Sequence, residues 1–242
     1  MTAFVEYLLE AMPYEQAALV FLVQNVLVFV GSLVVGALLI RRFADRRVTP
    51  KAAALEPLEI GLATSTVILN AVITFAGLVL HRRGVIVIAT STDALRVLRD
   101  IVVLVVAMDL AMYLLHRLAH HRWLLPILHA AHHRYAHPRP LTLFVLHPFE
   151  TLSFGGLWLA VLTIYEATWL GVAIYLTLNL AFGTIGHLGV EPIPALRRHP
   201  ALRWIAGSTF HAGHHVITNA NFGFYTTIWD RLFGTLASDY DV

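Results

Sequence analysis

The chain contains no cysteine, which removes disulfide frameworks, thiolate metal sites, iron–sulfur clusters and cysteine nucleophiles from consideration. Charge is scarce as well: 13% of the 242 residues are Asp, Glu, Lys or Arg, against roughly a quarter in an ordinary soluble domain. With 58% hydrophobic residues and a mean hydropathy of +0.70, a water-soluble enzyme is excluded. Neither sign of charge dominates, at 17 basic against 15 acidic side chains. The basic residues are scattered rather than interleaved with aromatics on a polar face, so no nucleic-acid partner is expected. Linkers rich in proline or in glycine and serine, low-complexity tracts and repeats are missing too. One membrane-embedded domain over residues 1–242 is therefore expected, with N-terminal membrane helices in 1–100 and a catalytic region in 101–242.

What the chain does have is long apolar runs. Gln16 to Ile40 is 25 residues without a charge and Ile60 to Leu80 another 21, each enough to cross a hydrocarbon core of about 30 Å at about 1.5 Å per residue. The leading segment MTAFVEYLLEAMPYE is acidic, unlike a cleavable signal peptide, and is expected to stay attached. Ile101 to Leu115 is shorter and carries Asp109, whereas Thr151 to Ile185 holds 35 residues with Glu166 as its one charge. The latter is too long for one crossing and reads as a hairpin. The fold expected is all-α, with four to five transmembrane helices and a histidine-rich helical cap. Five crossings would put 13 of the 17 basic residues on the side that also holds the histidine-rich stretches, and the positive-inside tendency makes that side cytoplasmic.

Histidine is the residue in excess. Thirteen of 14 lie between His116 and His215, as HRLAHH at 116–121, HAAHH at 129–133, a lone His187 and HAGHH at 211–215. Residues at i, i+3 and i+4 share a helix face. His129, His132 and His133 are thus expected to point one way, as are His211, His214 and His215, and His116 and His120. Pro126 should open a new helix between the first two groups, and Ser208 or Thr209 should cap a helix over HAGHH. A single histidine is usually a hydrogen-bonded bystander, but repetition at ligand spacing points to metal. So many neutral imidazoles exceed the needs of one tetrahedral zinc, and neither H-E-x-x-H nor E-x-x-H occurs. A histidine-only centre of two metal ions remains, and redox work on hydrocarbon in a membrane favours iron.

HRLAHH, HAAHH, HPFE at 147–150, HLG at 187–189 and HAGHH followed by NFGFYTTIWDRLFGT closely resemble the integral-membrane fatty acid hydroxylase/sterol desaturase superfamily, over about 120 residues from Asp109 to Thr235. The resemblance implies a non-haem di-iron (Fe2+) centre that uses O2 and two electrons to hydroxylate or desaturate a membrane lipid. Carried onto this chain, the ligands are His116, His120, His129, His132, His133, His187, His211, His214 and His215. Either His120 or His121 matches the second ligand of the first box, and the helical face favours His120. Some members have a tenth ligand near the position of His187, a place left here to His147 or a water. Electrons are expected from a separate ferredoxin, rubredoxin or cytochrome b5-like donor, with Arg197, Arg198 and Arg203 as a docking patch or a contact with anionic lipid.

Ligating imidazoles usually give their other N–H to a carboxylate or carbonyl. Asp230 is the leading candidate for that role, with Glu150 and Asp109 also near the boxes. Asn219 and Asn221 are candidates to cap the third-box helix or to bind a metal-bound water. His137 and His199 read as surface or headgroup-contacting residues, and His81, across the membrane, as a bystander. A membrane haem cytochrome or a metal transporter or metallochaperone is the alternative. The first expects opposed histidine pairs within the spans and the second a path of ionisable residues through the bilayer. Oligomeric state and the identity of the lipid are not encoded in these motifs.

Overall fold

A computed structural model describes residues 2–240 of the chain. Five long helices dominate: α1 (Tyr14–Arg42), α2 (Pro57–Arg82), α3 (Ala94–Ala119), α4 (Pro148–Ile164) and α5 (Trp169–Gly186). Their starts follow local chemistry. Pro57 and Pro148 occupy the first turns of α2 and α4, where the missing N–H costs nothing. Asp93 and Thr168 cap α3 and α5 by accepting from the backbone N–H of Arg96 and Gly171. The hairpin expected in 151–185 is α4 and α5, turning through residues 165–168.

Three of the helices, α1, α2 and α5, are long and apolar enough to cross a membrane. This is a helical membrane protein; among the described residues the one strand pair is parallel and two residues long, Ile88–Ala89 with Ala167–Thr168. The third expected span extends further than its apolar stretch at both ends, because α3 takes in Arg96, Arg99 and Asp100 before it and His116 and Arg117 after it. Its polar groups are paired rather than bare. Asp100, fully buried, accepts from Arg99, from the Tyr165 hydroxyl at 2.7 Å and from the Thr168 N–H at 2.7 Å.

The helices pack side by side, α1 on α2, α2 on α4, and α3 on both α4 and α5. Close approach of α2 and α4 depends on Gly155, where a Cβ would lie 2.2 Å from Ile73 Cδ1. One apolar cluster joins Leu104 and Met108 of α3, Leu162 of α4, Tyr175 of α5 and Tyr225.

Contacts at the helix ends define two ends of the molecule. At one, Arg82 donates to the carbonyls of Leu8, Leu9 and Met12, the strand pair forms, and Arg96 pairs with Glu166. At the other, the α1–α2 connection is latched to the histidine region. Val48 N–H donates to Gly189 O, Glu191 N–H to Arg46 O, and Arg139 grips buried Glu59 through two bonds of 2.8 and 2.9 Å. The histidine-rich stretches cover this second end as short helical pieces: Leu125–Leu128, Ala130–His133 and α6 (Ser208–Val216).

Candidate metal centre

The C-terminal end of α3 carries His116 and, at its cap, His120. Pro126 opens the next short helix as expected, and the turn after it presents His129, His132 and His133. α5 ends at His187, and α6 carries His211, His214 and His215. Gly207, not Ser208 or Thr209, is the N-cap of α6. The expectation fails because a carboxylate from another loop does that work: Glu191 Oε2 accepts from the Thr209 N–H at 2.9 Å and its hydroxyl at 3.0 Å. A carboxylate at a helix N-terminus also suits the dipole.

Nine imidazoles converge, and they divide into two groups. His116, His120, His129, His133 and His214 form one, and His132, His187, His211 and His215 the other, with the ligand atoms of each group within 4.8 Å of one another. In the first, Nε2–Nε2 separations are 2.9 Å for His116 and His129, 3.1 Å for His120 and His133, and 3.0 Å for His133 and His214. In the second they are 3.3 Å for His132 and His187, 3.1 Å for His187 and His211, and 3.2 Å for His211 and His215. Two nitrogens each about 2.1 Å from a shared ion at angles of about 90–109° lie about 3.0–3.4 Å apart. Both groups match that spacing.

The division corrects the expectation that each H-x-x-H-H box points one way. His129 and His133 join one group while His132 joins the other, and His211 and His215 are separated from His214 in the same manner. At about 100° per residue, an i+4 neighbour lies about 40° round the helix on one side and an i+3 neighbour about 60° on the other. Residues i and i+4 therefore share a group, as do His116 and His120, and the i+3 residue reaches across.

The outer nitrogens fix the tautomers. Nδ1–H of His116 donates to Phe222 O at 2.8 Å, that of His132 to Val145 O at 3.2 Å, that of His187 to Gly183 O at 2.7 Å, and that of His214 to Ala220 O at 2.7 Å. A carbonyl can only accept, so in these four Nε2 is the bare nitrogen that faces the group. His129 Nδ1 meets Glu150 Oε1 at 2.5 Å. Burial, reinforced by neighbouring imidazoles, holds His129, His132, His211, His214 and His215 well below the ordinary imidazole range. The same causes push His133 down to about 3 and His120 to about 2. Neutral imidazole is the form that binds metal.

Of the carboxylates expected beside the imidazoles, Glu150 alone touches one. Asp230 is one peptide removed: it accepts from the N–H groups of Phe222 and Gly223 at 2.8 and 2.7 Å and from the Thr235 hydroxyl at 2.6 Å. It thereby holds the turn whose Phe222 carbonyl receives His116. Gly223 is required there, since a Cβ would lie 2.3 Å from Thr226 O. Asp109 likewise binds the 225–229 segment, through the Tyr225 N–H, Thr226 and the Trp229 indole, and no histidine. His121 is exposed and outside both groups. His147 is also outside them and caps α4, its Nδ1 accepting from Phe149 N–H. Asn221, at φ +61°, ties Phe210 O to Ala237 N–H rather than capping α6. His81 lies at the opposite end, between Glu10 and Ile86 O.

Sequence reasoning missed Phe222 and Glu191. The Phe222 ring packs at 5.8, 5.2 and 5.6 Å from the rings of His116, His120 and His214. Its place in NFGF, soon after the last box, was the available signal.

Residues 101–235 match the model of the fatty acid hydroxylase family. The chain belongs to that family. Among curated members, lathosterol oxidase of Rattus norvegicus is 30% identical over 131 residues, which are 52% of this chain and 41% of that protein. Methylsterol monooxygenase 1 of Danio rerio is 32% identical over 124 residues, 51% of this chain and 42% of that one. A very-long-chain aldehyde decarbonylase of Oryza sativa subsp. indica is 29% identical over 140 residues, 53% of this chain and 21% of that one. The matches thus span at most about two fifths of these relatives' lengths. No solved structure matches the chain. In this family member the matched stretch begins in α3, passes through both histidine groups and ends at Thr235.

Proposed function

We propose that this protein is an O2-dependent di-iron oxygenase of the membrane that hydroxylates or desaturates a C–H bond of a lipid. The observation that carries the reading is the pair of neutral imidazole groups, each with metal-ligand spacing. His116, His120, His129, His133 and His214 would hold one iron, and His132, His187, His211 and His215 the other. Two ferrous ions there would supply the O2 chemistry that an unactivated C–H bond requires, with electrons from a separate donor such as a ferredoxin, rubredoxin or cytochrome b5-like protein.

The protein's own groups have supporting tasks. Backbone carbonyls and Glu150 orient His116, His129, His132, His187 and His214 through Nδ1 and leave their Nε2 atoms facing the groups. Asp230 fixes the turn behind His116. Phe222 packs its ring against His116, His120 and His214. Sterol and long-chain lipid chemistry in the names of the relatives supports a lipid substrate. The charge bias of the loops supports a cytoplasmic histidine cap on a multi-pass protein of one membrane-embedded domain.

The test is metal content and visible absorption of protein purified anaerobically in mild detergent, beside His214→Ala. About two irons per chain, no haem band, and iron bound more weakly with intact membrane insertion in the variant are expected. A haem band, or wild-type protein that binds no iron when reconstituted, would overturn the reading.

A further inference from the structure

The two histidine groups are backed by different parts of the chain. In the four-histidine group, His132 gives its Nδ1–H to Val145 O and His187 gives its own to Gly183 O. Both carbonyls sit on segments that α1 and α2 hold in place. Val145 is fully buried after the short 3-10 turn Pro140–Phe144, clustered with Phe144 and with Ala63 and Val67 of α2. The Phe144 ring meets Phe29 of α1 edge-on at 4.9 Å, and a Cβ on Gly36 of α1 would lie 2.7 Å from Pro140 Cβ. The same turn presses on α5, where a Cβ at Gly183 would lie 2.7 Å from Leu143 Cδ1. One residue on, the Thr184 hydroxyl donates to Leu180 O and accepts from Ser32 of α1 at 2.9 Å.

Behind the five-histidine group the partners are Phe222 O, Ala220 O and Glu150. The first two belong to the C-terminal segment, and Asp230 holds the Phe222 peptide. Of these partners Glu150 alone lies on a helix, α4, that packs on α2.

Glu59 and Arg139 close the arrangement. Arg139 is the N-cap of the 3-10 turn, its N–H donating to the Thr142 hydroxyl at 3.1 Å, while its guanidinium makes two bonds to Glu59 in the first turn of α2. A two-pronged contact with one carboxylate fixes direction as well as distance. Glu59 has no exposed surface, and a buried carboxylate stripped of its partner is costly. The turn therefore stays on α2.

We infer that α1 and α2 clamp the four-histidine group, and that Glu59 and Arg139 are positioning residues for the ion it takes, acting through residues 140–145 and Val145 O on His132. Neither helix lies in the family-matched stretch, residues 101–235. The inference rests on the oxygenase reading only in taking this group as a metal position. Without the clamp His132 loses the contact that aims its Nε2, whereas the five-histidine group keeps its partners. One ion of the two is then bound more weakly.

The experiment is Co2+ binding to the metal-free, full-length protein in dodecyl maltoside, followed by visible absorption and by competition with a chelator. Imidazole sites that take Fe2+ take Co2+ more tightly, and the visible bands of cobalt report the coordination of each ion. Two ions per chain are expected in the wild type. In Glu59→Ala one of them should bind about tenfold more weakly, the lower end of what outer partners of ligating histidines contribute, with the other unchanged. In a His187→Ala background Glu59→Ala should change nothing further, because the ion it affects is already lost. Gly36→Ala, which pushes on Pro140 without touching a polar group, should weaken the same ion and carries the test if Glu59→Ala does not fold. Asp100→Asn is the control: it disturbs an equally buried carboxylate at the opposite end of the bundle and should leave both ions at wild-type affinity. Wild-type affinity in Glu59→Ala or Gly36→Ala, equal weakening of both ions, a further loss in the His187→Ala background, as great a loss in Asp100→Asn, or fewer than two cobalt ions in the wild type overturns the inference. Iron reconstitution of the same samples separates the two proposals. The expected cobalt pattern without iron binding defeats the oxygenase reading alone, and two irons with no effect of Glu59→Ala defeats this one alone.

Discussion

The two histidine groups differ in three ways that matter for chemistry. The group of five has a carboxylate behind one imidazole, Glu150 on His129, and one member, His120, that lines a surface depression together with Arg117, His121 and Phe222. The group of four is buried at every member, has only carbonyls behind it, from Val145 and Gly183, and sits against the α1–α2 latch through Gly189 and Glu191. One position is thus richer in donors and reachable from outside. The other is leaner and enclosed. Two ions held in such a pair would not be equivalent, because the enclosed one would have no ligand to spare.

Acid should erase the distinction. Every imidazole with a resolved shift has its folded-state pKa below the unfolded value of about 6.5, so these imidazoles bind fewer protons in the folded protein than in the unfolded chain. The stability this contributes is present above about pH 6.5 and is lost as pH falls. For His120 and His133 the loss continues to the folded values of about 2 and 3. The thermal unfolding midpoint of metal-free protein in a neutral detergent should fall steadily from pH 8 to pH 5. A flat profile would mean that the imidazoles are not desolvated in the folded protein.

Removing single ligands should bring the distinction back. His187→Ala leaves three imidazoles in the enclosed group and is expected to halve the iron content, whereas His120→Ala leaves four in the open group and should retain both ions with weaker affinity. Equal losses in the two variants would break the comparison. A smaller effect is expected from Glu150→Gln. Outer partners of ligating histidines are worth about 10–100-fold in metal affinity, and this loss should fall on one ion of the two. Asp230→Asn should change affinity less than Glu150→Gln, because Asp230 acts through the Phe222 peptide, while lowering the unfolding midpoint more.

Most of the helical frame was legible in the sequence. The apolar runs at 16–40 and 60–80 became α1 and α2 with two or three residues added at each end, since composition alone marks where hydrocarbon can be crossed. The nine candidate histidines also came together, because their repetition has few other physical explanations. The split into five and four was not legible. It depends on where three separate helix ends and one short turn meet, and the i+3 residue of each box crosses to the other group only once that meeting is fixed. The role of Glu191 was hidden for a similar reason: a lone acid in a loop gives no sign of the helix N-terminus, some 18 residues on, that it will serve. Asp230 was placed near the site but one bond too close, since sequence proximity to a box does not distinguish a carboxylate that meets an imidazole from one that holds the backbone behind it.

The smallest expected effect concerns the neighbour that sequence alone could not separate from a ligand. His120 and His121 are adjacent, and the first box admits either. α3 ends at Ala119 with His120 as its cap, so the chain is still on the helical path at His120, and the side chain follows His116 onto the inner face by the i+4 relation. One residue later it has left that path, and His121 stands exposed at the rim of the depression. His121→Ala should therefore leave the iron content at the wild-type level, where His120→Ala weakens it. Loss of iron in His121→Ala would move the ligand one position along the chain.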